Sequence, residues 1–96
     1  MHHPNGVVIG GGAVIGQNCT LLQQVTIGER YAVGSDDHRY PTIGSGCVIG
    51  AGAKILGGVS VGNGAQVGAN SVVIRDVPEG ATVVGSPARI VGYRGV

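Results

Sequence analysis

From Ile9 to Val73 an aliphatic side chain returns at every sixth residue, through Ile9, Ile15, Leu21 and Ile27, then Ile43, Ile49, Ile55, Val61, Val67 and Val73. Glycine follows most of them directly: Gly10, Gly16, Gly28, Gly44, Gly50, Gly62 and Gly68. Four places after the aliphatic residue stands a small or β-branched one, among them Ala13, Cys19, Val25, Cys47, Ala53, Val59, Ala65, Ser71 and Val77, with Tyr31 as the exception. The third place often holds Gly or Asn (Gly12, Asn18, Gly46, Gly52, Gly58, Gly64, Asn70), the residues that best tolerate a positive φ at a tight corner. Each six-residue unit is therefore a short strand and a corner. A unit so short cannot bury its own apolar face, so it must stack on its neighbours, and the pattern predicts an all-β parallel β-helix.

Composition narrows the function classes. The chain has 96 residues, enough for one domain, and its charged residues make up 11% with a net charge of +1. It has no electrostatic footprint for nucleic acid or a membrane surface. The aromatic residues are three tyrosines, which suits a narrow prism filled by Ile, Val and Ala and does not suit a base-stacking platform. No apolar run is long enough to span a bilayer and no signal-peptide pattern opens the chain, so the expected location is cytoplasmic. Cys19 and Cys47 both occupy the small-residue slot, where a cysteine packs as an alanine would. They are weak candidates for a disulfide or a metal. A glycine-rich chain of this size has little core to offset the loss of backbone entropy, and self-association is the expected remedy. Met1 falls inside a repeat, leaving the first coil's edge to be covered, so the sequence is either a minimal form or lacks an N-terminal part.

The period breaks once, between Ile27 and Ile43. The intervening loop, 29–42, carries Glu29, Arg30, Asp36, Asp37, His38 and Arg39, and a polar excursion from a rigid scaffold is where function usually sits. After Val73 the pattern relaxes into a turn, Arg75-Asp76-Val77-Pro78-Glu79-Gly80. The helix is expected to occupy 1–85, with 86–96 as a C-terminal tail.

The repeats, the single extruded loop and the closing Gly85-Ser86-Pro87-Ala88-Arg89 resemble the acyl-CoA-dependent hexapeptide acyltransferases. Three segments are most similar to the serine acetyltransferases: His3-Pro4-Asn5-Gly6-Val7-Val8-Ile9-Gly10, the loop end Arg39-Tyr40-Pro41-Thr42-Ile43, and Ile49-Gly50-Ala51-Gly52-Ala53-Lys54-Ile55-Leu56-Gly57. The likeness covers nearly the whole chain but only the catalytic half of that family, and does not extend to the family's N-terminal helical domain. It implies a left-handed β-helix, an exception to the usual right-handed crossover. It also implies a homotrimer with active sites between subunits and acetyl-CoA as co-substrate. The reaction implied is O-acetylation of serine on the path to cysteine, or of a related acceptor such as a sugar hydroxyl.

His3 stands six residues before Ile9, where an inward aliphatic would otherwise sit, and such conflicts mark functional positions. By the resemblance His3 is the general base. An imidazole of pKa near 6.5 can take the proton of a hydroxyl as its oxygen attacks a thioester. In the family an Arg-His-Pro triplet supplies a carboxylate-binding Arg and a second active-site His. Here Arg39 matches, Tyr40 replaces the His, and His38 lies two residues early; His2 stands where the family carries an acidic residue that helps hold the acceptor's amine. His2, Asp37, His38, Arg39 and Tyr40 are thus the acceptor-binding candidates. The corners at Ala51-Gly52 and Ala69-Asn70 would line the pantetheine arm of CoA together with Gly28, and Lys54, Arg75 and Arg89 are candidates for its phosphates.

Two other classes compete. A metal hydrolyase of this fold needs three His on facing strands, and the chain has three, but adjacent His2 and His3 point to opposite faces of a strand. No metal is therefore expected. A catalytically inactive assembly scaffold is the other alternative, since stacking alone can justify the composition.

Overall fold

A computed structural model of the chain describes residues 6–29 and 39–93. Successive short strands turn around three faces. The first coil is β1 (Val8–Ile9), β2 (Val14–Ile15) and β3 (Thr20–Leu21); the second is β4 (Thr26–Gly28), β5 (Thr42–Ile43) and β6 (Val48–Ile49). The third is β7 (Lys54–Leu56), β8 (Ser60–Val61) and β9 (Gln66–Val67), and the last opens with β10 (Val72–Val73) and closes with β11 (Ala81–Gly85). Stacking β1-β4-β7-β10 makes one face and β2-β5-β8 the second. On the third face β3, β6, β9 and β11 stack, and β12 (Ala88–Tyr93) folds back antiparallel onto β11. The stacked pairs of the coils are parallel, no helix occurs among the described residues, and the coils wind left-handed.

Alternation along each strand explains the core. Val25, Ile27, Cys47, Ile49, Ala53 and Ile55 are fully buried, while Thr42, Lys54 and Ser60 between such positions face solvent. Both the aliphatic and the small slot therefore point inward, two residues apart, as a period of two requires. The expected inward residues Ile49, Ile55 and Val67 are buried, whereas Ile9 and Ile15 in the first coil are half-buried.

The loop leaves this register intact. Val8 pairs with Thr26, eighteen residues on, and Thr26 pairs with Lys54, twenty-eight on, so the loop adds ten residues to one corner without moving a strand. The last coil is shortened instead. Val77 pairs with Val61 and Val83 with Val67, each sixteen residues apart, because only Ile74, Arg75 and Asp76 separate Val73 from Val77. Val77 thus takes an aliphatic slot in a coil that the sequence pattern reads as a turn. The segment set apart as a tail, 86–96, likewise supplies β12 to the third face.

Positive φ values mark the corners at Asn18, Gln24, Gly46, Gly52, Gly64 and Asn70, as the third slot predicts. Gly12 and Gly58 depart from that pattern: neither has a left-handed φ, and after Ile55 the left-handed residue is Gly57. Their lack of a side chain serves another purpose, described below.

Cys19 and Cys47 are free and buried, and both thiols donate to the Gly44 carbonyl, at 3.0 and 3.5 Å. Burial pushes the Cys47 thiol above its ordinary value of 9.0. The folded state therefore holds the neutral thiol where the unfolded chain would ionise. Its contribution is complete below 9.0 and declines as pH rises beyond it toward the folded value. Urea midpoints measured across the alkaline range should fall for the native chain and fall less steeply for Cys47→Ala. Truncating the core is the larger perturbation: Ile55→Ala should cost about 2–5 kcal/mol. The outward Thr42→Ala should stay within about 0.5 kcal/mol in the same denaturation series.

Candidate active site

Three corners separate the three faces, and the loop leaves from the one between the first and second. That corner reads Gly10-Gly11-Gly12 in the first coil, the loop in the second, Gly57-Gly58 in the third and Ile74-Arg75-Asp76 in the last. It is the least uniform edge of the prism. The loop's return is fixed by Pro41, fully buried, whose carbonyl accepts the Val14 N–H at 3.1 Å.

The two residues before Pro41 reach in opposite directions along this edge. Tyr40, half-buried, lays its ring over the first coil. A Cβ built on Gly10 would collide with the Cδ1 and Cε1 side of the ring, and one on Gly12 with the Cδ2 and Cε2 side. Arg39, an exposed residue, runs over the third coil, where a Cβ on Gly58 would stand 2.8 Å from its Cβ and Nε. Glycine at 10, 12 and 58 is thus required by close approach rather than by φ. The glycine run 10–12, longer than the repeat demands, is the sequence signal that these seats left.

Beside Arg39 lies a cleft of about 360 Å³, whose walls include Leu56, Gly57, Gly58, Arg75 and Asp76. Arg39 and Arg75, from the second and last coils, therefore share one cavity. Asp76 closes the shortened corner: its Oδ1 accepts the Ser60 N–H at 2.8 Å, tying the last coil to the third. A second cleft, about 400 Å³, is lined by Arg75 and Arg89 with Ile74, Pro87 and Ala88 between them. Arg75 is common to both clefts.

The other candidates are dispersed over a single chain. Gly28 lies at the loop corner, where its carbonyl accepts the Gly57 N–H at 3.0 Å and no heavy atom of the described residues stands within 4 Å of where its Cβ would be. Ala51 and Ala69 lie at the corner between the third and first faces, stacked so that the Asn70 N–H bonds the Ala51 carbonyl at 2.8 Å. Lys54 faces solvent on the first face between Thr26 and Val72 and lines neither cleft. His2, His3, Asp37 and His38 fall outside the described residues. Sequence reading missed Gly58 as the seat of Arg39 and Asp76 as the tie to Ser60, because both need the coil stacking to be known.

Residues 40–75 match the model of the bacterial transferase hexapeptide (six repeats). Over that stretch, a little over a third of its length, the chain is similar to the hexapeptide-repeat family. Nearly the whole chain is similar to serine acetyltransferases. It is 54% identical over 92 residues to serine acetyltransferase 5 of Arabidopsis thaliana, an alignment covering 96% of this chain and 29% of the relative. Soybean serine acetyltransferase complexed with serine superposes with a TM-score of 0.80 at 56% identity, covering 90% of this chain and 35% of that one. The Brucella abortus strain S19 serine acetyltransferase in complex with coenzyme A gives 0.83 at 41% identity, covering 95% and 38%. The hexapeptide-repeat chain described here thus spans about a third of the length of these relatives.

The tie between Asp76 and Ser60 is directly testable. Asp76→Ala leaves the Ser60 N–H to solvent and should cost about 0.5–1.5 kcal/mol. Asp76→Asn keeps an acceptor and should recover most of that loss when urea midpoints are compared.

Proposed function

We propose that this chain is the acetyl-transferring β-helix of a serine O-acetyltransferase, moving acetyl from acetyl-CoA to the hydroxyl of serine. The observation that carries this reading is the likeness, at 41–56% identity and TM-scores of 0.80–0.83, to serine acetyltransferases complexed with serine and with coenzyme A. The product would enter cysteine biosynthesis in the cytoplasm.

The chemistry follows from the residue types. His3 takes the proton of the serine hydroxyl as the oxygen attacks the thioester carbonyl. The tetrahedral intermediate collapses with loss of the CoA thiolate, and His3 returns the proton to that sulfur. A thiol pKa near 8.5 makes the thiolate a capable leaving group. Arg39 offers a planar fork to the acceptor carboxylate, and its reach over Gly58 holds that fork at the loop corner. Arg75 and Arg89, which share a cleft, suit the phosphates of CoA.

Assembly as a homotrimer reconciles the scattered cofactor candidates. Gly28 at one corner and Ala51 and Ala69 at another cannot line one groove in a single prism. Threefold packing of flat faces brings the loop corner of one subunit beside a different corner of its neighbour, which places the reaction between subunits. Backbone groups at the alanine corner would then run along the pantetheine arm.

Acetyl-CoA turnover, read from the released thiol with serine and with a panel of neutral sugars, tests the reading. Serine should be acetylated, and His3→Ala should lower kcat on the order of a hundred-fold while coenzyme A affinity stays nearly constant. Arg39→Ala should depress transfer to serine and leave any transfer to neutral sugars unaffected. Efficient serine acetylation insensitive to Arg39 would overturn the role given to Arg39, and turnover only with sugars would overturn the assignment. Failure to bind coenzyme A would favour a scaffold instead.

A further inference from the structure

The glycine corner of the first coil is matched to the ring of Tyr40 on both sides. The Cδ1 and Cε1 edge lies against Gly10 and the Cδ2 and Cε2 edge against Gly12, with Cγ itself 2.9 Å from where a Gly12 Cβ would be. Contact at Cγ means that the root of the ring is held as well as its rim. A methyl group at Gly12 could not be evaded by rotation about the ring axis; the whole side chain would have to leave its seat by turning about Cα–Cβ. Gly11, between the two, has no heavy atom of the described residues within 4 Å of its Cβ position, and neither Gly11 nor Gly12 has a left-handed φ. The two neighbours thus differ in whether the ring covers them while both can accept alanine without backbone strain.

The next link is covalent. Arg39 precedes Tyr40, runs to the other side over Gly58, and shares a cleft with Arg75. Pro41 follows and is fully buried with its carbonyl bonded to Val14. With residue 41 fixed in the second coil and residue 40 seated on the first, the direction in which residue 39 leaves is determined. We propose that Tyr40 is a positioning residue: its ring, seated on the Gly10–Gly12 corner, sets the place of the Arg39 guanidinium and so the affinity for a carboxylate-bearing acceptor. This deepens the reading of the site as a serine acetyltransferase and rests on it for the acceptor. It assigns Tyr40 a packing role in place of a hydrogen bond to the acceptor.

The test compares Gly11→Ala with Gly12→Ala in the full chain, reading kinetics with serine and the fluorine spectrum of protein labelled with fluorotyrosine, the Tyr40 resonance being assigned by its loss in Tyr40→Phe. Gly12→Ala should move that resonance and raise KM for serine about ten-fold, as a displaced positioning group does, with kcat within about two-fold. Gly11→Ala should move neither. Tyr40→Ala should reproduce the rise in KM, Tyr40→Phe should restore most of it, and adding Gly12→Ala to Tyr40→Ala should add nothing, because the methyl then meets no ring. Equal effects of the two alanine substitutions, additive effects in the double variant, or failure of Tyr40→Phe to rescue would each overturn the proposal. If serine is not turned over at all, the functional reading fails while the fluorine comparison still decides whether the ring occupies its seat: a shift confined to Gly12→Ala supports the seat, and its absence removes it.

Discussion

Every feature of this molecule depends on one constraint: a strand of two or three residues is stable only while its backbone is hydrogen-bonded to the coils above and below. The N–H groups of one coil meet carbonyls of the next, as in Val8 to Val25 at 2.9 Å, Thr26 to Ala53 at 3.0 Å and Lys54 to Ser71 at 2.8 Å. Because each strand alternates inward and outward residues, a slip of one residue would expose the whole aliphatic column. Register is therefore enforced by burial, and the repeat tolerates extra or missing residues only at corners. The ten-residue insertion in the loop and the two-residue shortening before Val77 both obey that rule.

Corners consequently hold the irregularities of the chain. A side chain rooted in one coil can lie across the next only if the residue there has no Cβ, and the edge with Gly10, Gly12 and Gly58 is built that way. Glycine serves two distinct ends in this chain. At Gly46, Gly52 and Gly64 it supplies a left-handed φ; at Gly10, Gly12 and Gly58 it supplies empty volume. The second use places an arginine and a tyrosine on a scaffold that otherwise offers a binding partner little but backbone. The same edge ends in Arg75, whose cleft with Arg89 continues the positive side chains toward the terminal hairpin.

The fold was legible because its signal is periodic and redundant. Ile27, Ile43, Ile49 and Ile55 declare the inward column, and Val25, Cys47 and Ala53 declare its second row, so errors at single positions do not shift the pattern. Val77 escaped because the shortened corner breaks the period just where the repeat ends. The strand at 88–93 escaped for a different reason: Ala88–Tyr93 pairs antiparallel, and no hexapeptide rule describes it. Among the candidates, Arg39 stood out by its likeness to the Arg-His-Pro triplet of the serine acetyltransferases, and Arg75 and Arg89 by their charge. The seats under Tyr40 and Arg39 were hidden, since a glycine that makes room looks in sequence like a glycine that makes a turn. The separation of Gly28 from Ala51 and Ala69 onto different corners was likewise invisible until the three faces were assigned.

The central claim is that the loop is an insertion at one corner that leaves the stacking of its flanking strands undisturbed. Scalar couplings transmitted through hydrogen bonds, measured on deuterated protein, read this without reference to any side chain. The account predicts a coupling from the Val14 amide nitrogen to the Pro41 carbonyl carbon and another from Thr26 to Ala53, the two bonds that bracket the insertion. Couplings that instead linked either amide to a residue one repeat away would contradict it, because the loop would then shift the register on which the core, the glycine seats and the position of Arg39 all rest.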